Sequence, residues 1–447
     1  MGAKVQIPQA QQELCIEGES LPQRWNISSL VAFRFYFVYI GLFCLSTQIL
    51  GSLSPIPNVD IPDLSSLWPM RQITFWVAAH VFHAKLPLVY TDSGSGDKTF
   101  DWVLVFWLLV AALLVAGLWS LLDRKRDNHI ALRKWFRLFI RFALAGQLLI
   151  YGMSKVVPLQ MPFPYLTRMI EPLRDFSPMG VLWSSIGASP AYEMFAGSAE
   201  LLAGILLIFP RTTMLGALIA AADMIQVFML NMTYDVPVKL LSFHLLLLAL
   251  LLLAPEFHRL ADFLFRNRTA AAPNQPALFQ SPRANRIALG VQIVFGLWLL
   301  GANAYGSHTS WHTYGGGRIK SPLYGIWNVD ELWIDGQIRS PLLTDYDRWR
   351  RAIFDFPDSM IFQRMDDSFA YYGVSINMND KTITLSKGRD KNWKGNFNFQ
   401  QDTEDRLLLD GNMGGHKMHL QLQLVDRSKF MLVSRGFHWI QEYPFNR

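Results

Sequence analysis

The sequence predicts a helical membrane domain of about seven transmembrane helices, followed by an all-β soluble domain that forms an eight-stranded barrel. Long apolar runs recur up to about residue 305, and the three within 191–255 follow one another directly. Each is long enough to cross a hydrocarbon core of about 30 Å. Ionisable residues lie inside these runs, and such residues usually face a bundle interior or a partner. From residue 314 the hydrophobic pattern has a period of two, which indicates strands.

Composition supports this division of the chain. Over 447 residues the mean hydropathy is +0.18 and the net charge is +6. In a membrane protein the excess of Lys and Arg collects in cytoplasmic loops, so it does not indicate nucleic-acid binding. Cys15 and Cys44 form no C-x-x-C pair, which argues against a thiol relay or a cysteine-ligated cluster.

The first 130 residues contain a polar N-terminal segment and two predicted spans. The segment 1–28 is too polar for an ordinary signal peptide. Within 29–130, the stretch 67–83 has a short apolar core flanked by charged residues and histidines, so we expect a helix that lies in the interface. A short true span is the alternative. Asp97 and Thr99 are the predicted N-cap candidates of the second span.

A basic run at 123–141 sets the predicted orientation. Short loops rich in Lys and Arg stay on the cytoplasmic side of the membrane. With this run inside, the N-terminus and the linker 257–284 are also cytoplasmic, and a seventh span at 285–305 carries the chain outward. We therefore expect a multi-pass protein of the plasma (inner) membrane, with a periplasmic or extracellular domain at 314–447.

A four-helix unit at 131–256 carries short motifs of small and charged residues. They are Gly152 and Lys155 in the first helix, Gly197, Glu200 and Gly204 in the second, and Tyr234, Asp235 and Lys239 before the fourth. This pattern resembles the DoxX-like family of membrane proteins, in a subgroup with extra spans and an external tail. The family's name comes from a thiosulfate:quinone oxidoreductase subunit, and most members have no assigned reaction. The resemblance implies a fold and, as one candidate cofactor, a quinone.

Polar residues along these helices form a predicted seam of candidate ligand or proton sites. The seam consists of Lys155, Glu193, Glu200, Asp223, Gln226, Tyr234, Asp235, Lys239 and His244. Glu193 and Glu200 are seven residues apart and share one helix face, with Gly197 between them. Small residues on that face allow close helix contact, so both carboxylates are expected to point into the bundle.

Partners within the seam follow from spacing. We expect Lys155 to pair with Glu193, since both lie near the outer surface, and Asp235 to pair with Lys239 at the i,i+4 distance. Anchoring at the interface is the alternative role for Lys155, Asp235 and Lys239. His244 lies on the opposite helix face from Asp235, so the two do not form a dyad.

The remaining seam residues differ in how well a purely structural role explains them. A hydrogen-bonded packing role is the alternative to a ligand role for His244. Glu200 and Asp223 lie near the middle of the membrane, where a carboxylate must be protonated or paired. These two are therefore the stronger functional candidates.

The C-terminal domain at 314–447 has eight candidate strands with turn signals between them. They lie at 325–336, 360–365, 369–378, 381–387, 395–400, 406–413, 417–425 and 429–437. Eight strands form a barrel that is either filled by side chains or holds one small ligand. Gly325-x-Trp327 at the first strand, with Arg435 after the last, resembles the signature of lipocalin-like barrels, in which the Arg packs over the Trp. The resemblance implies an apolar ligand, and a filled barrel acting as a cap or docking module is the alternative.

Two functions stay open. The first is a non-catalytic scaffold in the lipid bilayer, or a module that binds a small lipophilic ligand or a partner through the external barrel. The second is a quinone-linked redox or proton-coupled component that receives electrons from a partner membrane or redox protein. Whether the chain is an enzyme stays open as well. His308 with His312, and His416 with His419, have ligand-like spacing but no carboxylate or Cys at a fitting distance in sequence, so we predict no metal site.

Overall fold

The structure, a computed structural model, describes residues 24–56, 59, 61–269, 277–388 and 390–446, without the side chains of 390–392. Most of the predicted N-terminal segment and residues 270–276 of the predicted linker lie outside the described residues. The described chain divides into two compact units. The described parts of Met1–Ile150, Leu202–Met232 and Pro237–Ala302 form the first, and those of Tyr151–Leu201, Thr233–Val236 and Asn303–Arg447 form the second.

Within the described residues, seven helical segments are long and apolar enough to cross a membrane, which confirms the predicted number. The helices are α1 (Ile27–Ser46), α2 (Ile49–Ser52), α3 (Met70–His80), α4 (Thr99–Leu122), α5 (Ile130–Val156), α6 (Pro178–Gly187), α7 (Pro190–Ile208), α8 (Thr213–Thr233), α9 (Lys239–Leu253), α10 (Phe257–Leu264), α11 (Pro282–Thr313) and α12 (Met431–Ser434). The seven segments contain α1, α4, α5, α7, α8, α9 with α10, and α11. Helix α3, within the stretch 67–83, is only about 16 Å long, which is too short to cross a bilayer.

The first unit is held together by one apolar core and by close helix contacts. Residues such as Phe43, Leu108, Leu144 and Leu248 are buried in this core. Small residues bring the backbones together, since a Cβ atom on Gly216 would lie 3.1 Å from the carbonyl oxygen of Ala203. Association of apolar helices in lipid depends on this kind of packing rather than on a hydrophobic force between them.

The second unit contains a closed antiparallel barrel of eight strands. The strands are β1 (Gly325–Ile334), β2 (Gln337–Ile338), β3 (Trp349–Phe354), β4 (Ser359–Arg364), β5 (Phe369–Asn377), β6 (Thr382–Lys387), β7 (Asp390–Thr403), β8 (Arg406–Met413) and β9 (His416–Leu424). Consecutive strands pair from β3 to β9, β1 pairs with β3, and β1 closes the barrel on β9. The short β2 only adds a hairpin to β1. The predicted fold class is therefore confirmed.

One predicted strand is wrong, and one strand of the barrel was missed, as was the short β2. The predicted strand at 429–437 contains α12 instead, because pairing of β1 with β9 leaves no free edge for another strand. Strand β3 was missed because its register shifts between Trp349 and Arg351, so that buried and exposed residues do not alternate.

Apolar side chains fill the interior of the barrel. Leu332, Phe354, Phe362 and Leu385 each expose 0% of their surface, which leaves no room beside them for even a water molecule. Aromatic stacking continues the packing, with the rings of Trp349 and Phe362 only 3.7 Å apart between centroids. At these positions the barrel is a packed core rather than a container.

Candidate functional site

The centre of the candidate site is a buried ion pair between α5 and α7, within the second unit. The Nζ of Lys155 contacts the Oε1 of Glu200. Lys155 is 8% exposed and Glu200 is 2% exposed. The expected pairing of Lys155 with Glu193 is therefore wrong, and the ammonium instead neutralises the carboxylate that lies deeper in α7.

Two glycines bring Lys155 within reach of both glutamates. A Cβ atom on Gly197 would lie 2.5 Å from the Cβ of Lys155, and one on Gly152 would lie 2.6 Å from the backbone nitrogen of Leu201. Because both residues lack a Cβ, the helices cross almost backbone to backbone. The side chain of Lys155 thus begins level with Gly197, about one turn from Glu193 on one side and from Glu200 on the other.

Glu193 completes the site from the first turn of α7. It is fully buried, and its Oε1 accepts a hydrogen bond of 2.8 Å from the backbone N–H of Met161. Lys155 is also close enough to interact with it electrostatically. Among the described residues, the Oε2 atoms of Glu193 and Glu200 have no hydrogen-bond partner.

The charges of these three residues do not balance. Two buried carboxylates and one ammonium carry a net charge of −1 if all are ionised. Isolated charge in a membrane interior is costly, and a buried pair is stable only when it is compensated. Lys155, Glu193 and Glu200, together the Lys155 site, therefore contain one carboxylate more than the single ammonium can balance.

His244 has a packing role in the first unit. Its Nε2 lies 2.8 Å from the hydroxyl of Tyr39, and its Nδ1 lies 2.7 Å from the carbonyl oxygen of Leu240. The ring also stacks on Phe43 at 3.6 Å between centroids. Because both ring nitrogens are engaged, neither is available to a haem or a metal ion.

The helical spacing assumed for Asp235 and Lys239 is wrong. Asp235 has a positive φ of 52°, and α9 begins only at Lys239, so the two residues do not share a helix. The N-terminus of α9 is capped by Asp97, whose carboxylate accepts hydrogen bonds of 2.8 and 2.9 Å from the N–H groups of Lys239 and Leu240. Sequence reasoning missed this cap because Asp97 belongs to a distant loop.

Asp97 consequently does not cap the helix that follows it. The capping carboxylate of α4 is Asp101, which accepts a hydrogen bond of 3.0 Å from the N–H of Lys98. Thr99 is the first residue of that helix rather than its cap. The other seam residues are Asp223, half-buried, and Gln226, exposed, on α8, and Tyr234, half-buried just after it. Their role as ligand or proton sites stays a prediction.

The connector between α5 and α6, residues 157–177, packs on the barrel within the second unit. Leu166 is 1% exposed and lies in an apolar cluster with Ile326, Ile353 and Ile361 on the outer face of the barrel. Its backbone N–H donates a hydrogen bond of 2.9 Å to Asp355. We call this contact between the connector and the barrel the seat of the barrel. No local sequence pattern indicates it, because the two segments are far apart in the chain.

Arg318 reinforces the seat. Its guanidinium pairs with Asp355 and lies over the rings of Tyr165, at 4.9 Å, and Phe356, at 4.5 Å. Cation–π contacts of this kind are strongest where water is excluded. The barrel is thus fixed to the connector by apolar, ionic and aromatic contacts together.

Only part of the predicted barrel signature has the expected geometry. Trp327 is 2% exposed, and its Nε1 donates a hydrogen bond of 3.0 Å to the carbonyl oxygen of Leu323. Arg435 does not pack over Trp327, because the chain after β9 forms α12 instead of a strand. Its guanidinium lies over Phe445 at 4.3 Å and donates to Gln441. Gly325 opens β1, and a Cβ there would lie 2.4 Å from the side chain of Leu424.

A groove of about 760 Å³ runs across β1, β9, β8 and β7 on the outside of the barrel. Trp333, Asp410 and His419 lie side by side in it, since His419 pairs in register with both of the others. Gly411 allows the backbones of β8 and β7 to approach closely here, because a Cβ would lie 2.0 Å from the backbone oxygen of Asn396. The further lining residues are Glu331, Gly336, Asn396, Asn412, Lys417, Met418 and Gln421. We call this surface the barrel groove.

Two histidines of the last strand do have carboxylate partners, contrary to the expectation from sequence. His416 lies 2.6 Å from Asp335, and His419 lies 2.5 Å from Asp410. They are two separate pairs, and within the described residues no three His, Cys, Asp or Glu side chains form a group that could hold a metal ion.

A comparison with curated proteins finds one informative relative. The "Uncharacterized protein YwoB" of Bacillus subtilis (strain 168) is 36% identical over 125 residues, which are 28% of this chain and 78% of that protein. No protein-family model and no solved structure matches the chain. The relative's description names no activity, so any function has to be argued from geometry.

Proposed function

The chain belongs to the family of the Bacillus subtilis protein YwoB, and we propose that it is a non-catalytic membrane scaffold whose C-terminal barrel docks a partner protein. The observation that carries this proposal is the packed barrel interior, in which Phe354 and Phe362 expose 0% of their surface. A carrier of lipophilic ligands needs a cavity, whereas a docking domain needs a rigid outer surface.

The seat of the barrel supports the same function. The cluster around Leu166 and the ion pair of Arg318 with Asp355 hold the barrel on the connector 157–177. A partner bound to such a domain would be held at a fixed position near the outer ends of α5 and α7. The barrel groove offers that partner one aromatic ring, Trp333, among several hydrogen-bonding side chains, a composition common in protein interfaces.

The proposal includes the orientation argued from the basic run 123–141, with that run cytoplasmic and the barrel outside the plasma (inner) membrane. Single cysteines introduced at Lys125 and at Asn379 test it in a Cys15→Ser, Cys44→Ser background. In intact cells, a membrane-impermeant maleimide should label only the cysteine at 379. Labelling of 125 alone would show the opposite orientation.

We also propose that the helical unit 131–256 is related to DoxX-like membrane proteins.

Photo-cross-linking of the full chain in its native membrane tests the docking function. A photoreactive amino acid in place of Trp333 should give a discrete adduct with a single protein. The matched control is position 371, because Tyr371 is 67% exposed on β5 and is not a lining residue of the groove. Equal adducts at both positions, or none at 333, would contradict docking through the groove.

Ligand binding distinguishes a filled barrel from a carrier. Binding of a radiolabelled fatty acid should be equal in wild type and in Tyr371→Ala, a variant of an exposed residue that leaves the barrel interior unchanged. Phe362→Ala opens a cavity and should add binding. Loss of wild-type binding in a barrel-filling variant such as Ala352→Leu would instead support a lipophile carrier.

A second candidate function is proton exchange by the helical region, and the unbalanced charge of the Lys155 site favours it. A site that holds one proton among Glu193, Glu200 and Lys155 could couple protonation to a change at the helix crossing. Infrared spectroscopy of the purified protein should then show a pH-dependent C=O band of a protonated carboxyl group. Glu193→Gln should abolish this dependence, and Asp223→Asn serves as the control for a carboxyl outside the site. An unchanged band in Glu193→Gln would exclude Glu193. No observation assigns residues to a quinone.

A further inference from the structure

A cavity of about 640 Å³ in the first unit combines positive charge with apolar walls. Lys134, Arg137 and Arg141 of α5 line it, together with Arg211, which precedes α8. Its lining residues, all within the described part of the chain, include no Asp or Glu. Four cations around one cavity repel each other, so an anion between them would be strongly favoured.

Arg141 is the most informative of the four. It is only 6% exposed, and its guanidinium donates to the side-chain oxygen of Gln292 on α11. Its Nε is buried and has no hydrogen-bond partner among the described residues. A buried guanidinium with an unused donor is costly to maintain, and phosphate oxygens are acceptors that match its geometry.

The neighbouring cations are partly occupied but not neutralised. Arg137 lies 3.8 Å from Glu256, a carboxylate that also pairs with Arg259. Lys134 donates a hydrogen bond of 2.9 Å to the carbonyl oxygen of Ala277. One carboxylate among these cations leaves the region around the cavity positive.

The other walls of the cavity are apolar. Leu138, Phe209, Leu289 and Ile293 line it, and they come from helices that are long and apolar enough to span the membrane or from their ends. A small inorganic anion would leave these side chains without a partner. A ligand that joins an anionic group to a hydrocarbon chain would use both kinds of wall.

We propose that this cavity binds the phosphate headgroup of an anionic phospholipid, with Arg141 as the buried phosphate ligand. Arg211, which is exposed, contacts the headgroup at the mouth of the cavity, and the apolar walls contact the first part of an acyl chain. Basic pockets between membrane helices are suited to anionic headgroups for these electrostatic reasons. The inference is independent of the proposed function.

Native mass spectrometry of the delipidated full chain in detergent tests the proposal. Phosphatidylglycerol and phosphatidylcholine of the same chain length are titrated. Both offer Arg141 a phosphate, but the choline ammonium is repelled by the other cations of the cavity, so we expect at least about tenfold tighter binding of phosphatidylglycerol. Arg141→Gln should weaken phosphatidylglycerol binding about tenfold, since it removes one charge-assisted hydrogen bond to the phosphate. The matched control Arg286→Gln removes an exposed cation of α11 that is not a lining residue, and it should keep the preference.

A second variant and two further binding measurements can contradict the proposed lipid site. If Arg141→Gln does not fold, Arg211→Gln at the exposed mouth should weaken phosphatidylglycerol binding by several-fold. Equal binding of the two lipids, or an equal loss in Arg286→Gln, would overturn the site. Binding of inorganic phosphate that phosphatidylglycerol does not displace would show that a free anion, and not a lipid, is the ligand, which also overturns the proposal.

Discussion

The Lys155–Glu200 ion pair allows a quantitative test of the candidate site. Lys155→Met keeps the length of the side chain but leaves Glu200, which is 2% exposed, without its cation. Removal of one partner of a buried pair typically lowers stability by about 3–5 kcal/mol, because the remaining charge stays buried. Glu200→Met should have a similar effect on the free energy of unfolding.

The double variant separates this reasoning from a simple loss of packing. With both residues replaced by Met, the ammonium and its paired carboxylate are both removed, and Glu193 keeps the hydrogen bond from the N–H of Met161. Apolar replacement of a buried pair is often neutral or stabilising. We therefore expect the double variant to be more stable than either single variant by at least about 2 kcal/mol. Equilibrium unfolding by SDS in mixed micelles, followed by tryptophan fluorescence, measures all four proteins.

Additive losses would refute the argument. If the double variant lost the sum of the two single effects within about 0.5 kcal/mol, Lys155 and Glu200 would not be coupled. Glu193→Gln is the control, because it removes a charge while keeping the amide oxygen that accepts the N–H of Met161. It should change stability by less than either single variant of the pair.

Three further predictions concern packing and pH. Gly197→Ala should destabilise the protein by about 1–3 kcal/mol in the same SDS assay, because the new Cβ would lie 2.5 Å from that of Lys155, whereas Gly290→Ala has open space and should be neutral or stabilising. Phe362→Ala should cost about 3–5 kcal/mol of barrel stability by thermal circular dichroism, and Tyr371→Ala, at a residue 67% exposed, much less. Burial raises the pKa of Asp63 from 3.8 to about 6, so the folded protein keeps this proton at pH values where the unfolded chain has lost it. The free energy of unfolding should therefore fall as pH rises from about 4 to about 6, and Asp63→Asn should remove this part of the pH dependence.

Periodicity was sufficient to predict the architecture but not every element. The seven spans follow from long apolar runs, and the barrel follows from short runs with a period of two. The predicted number of barrel strands was correct although one strand was wrong and one barrel strand was missed. The bulge in Trp349–Phe354 disturbs the alternation of β3, while the regular pattern at 429–437 lies where no sheet edge is left to pair with.

The interaction partners of the site residues were harder to predict than their positions on a helix face. Spacing along α7 correctly suggests that Glu193, Gly197 and Glu200 share a face, but it does not determine which residues of α7 lie opposite Lys155. That axial alignment of α5 and α7 depends on the close crossing at Gly152 and Gly197. Contacts between distant segments, such as the cap of α9 by Asp97, have no local signal.

The seat of the barrel also sets an order for biosynthesis. Leu166 leaves the ribosome long before the strands that bury it, and β1 closes the barrel only when Leu424 pairs with Trp327. Until the first strands of the barrel are made, the connector has no partner for the side chain of Leu166 or for the N–H group that Asp355 accepts. A chain that lacks β9 leaves the edges of β1 and β8 unpaired, and unpaired strand edges favour aggregation. Pairing of the last strand therefore removes both free edges at once.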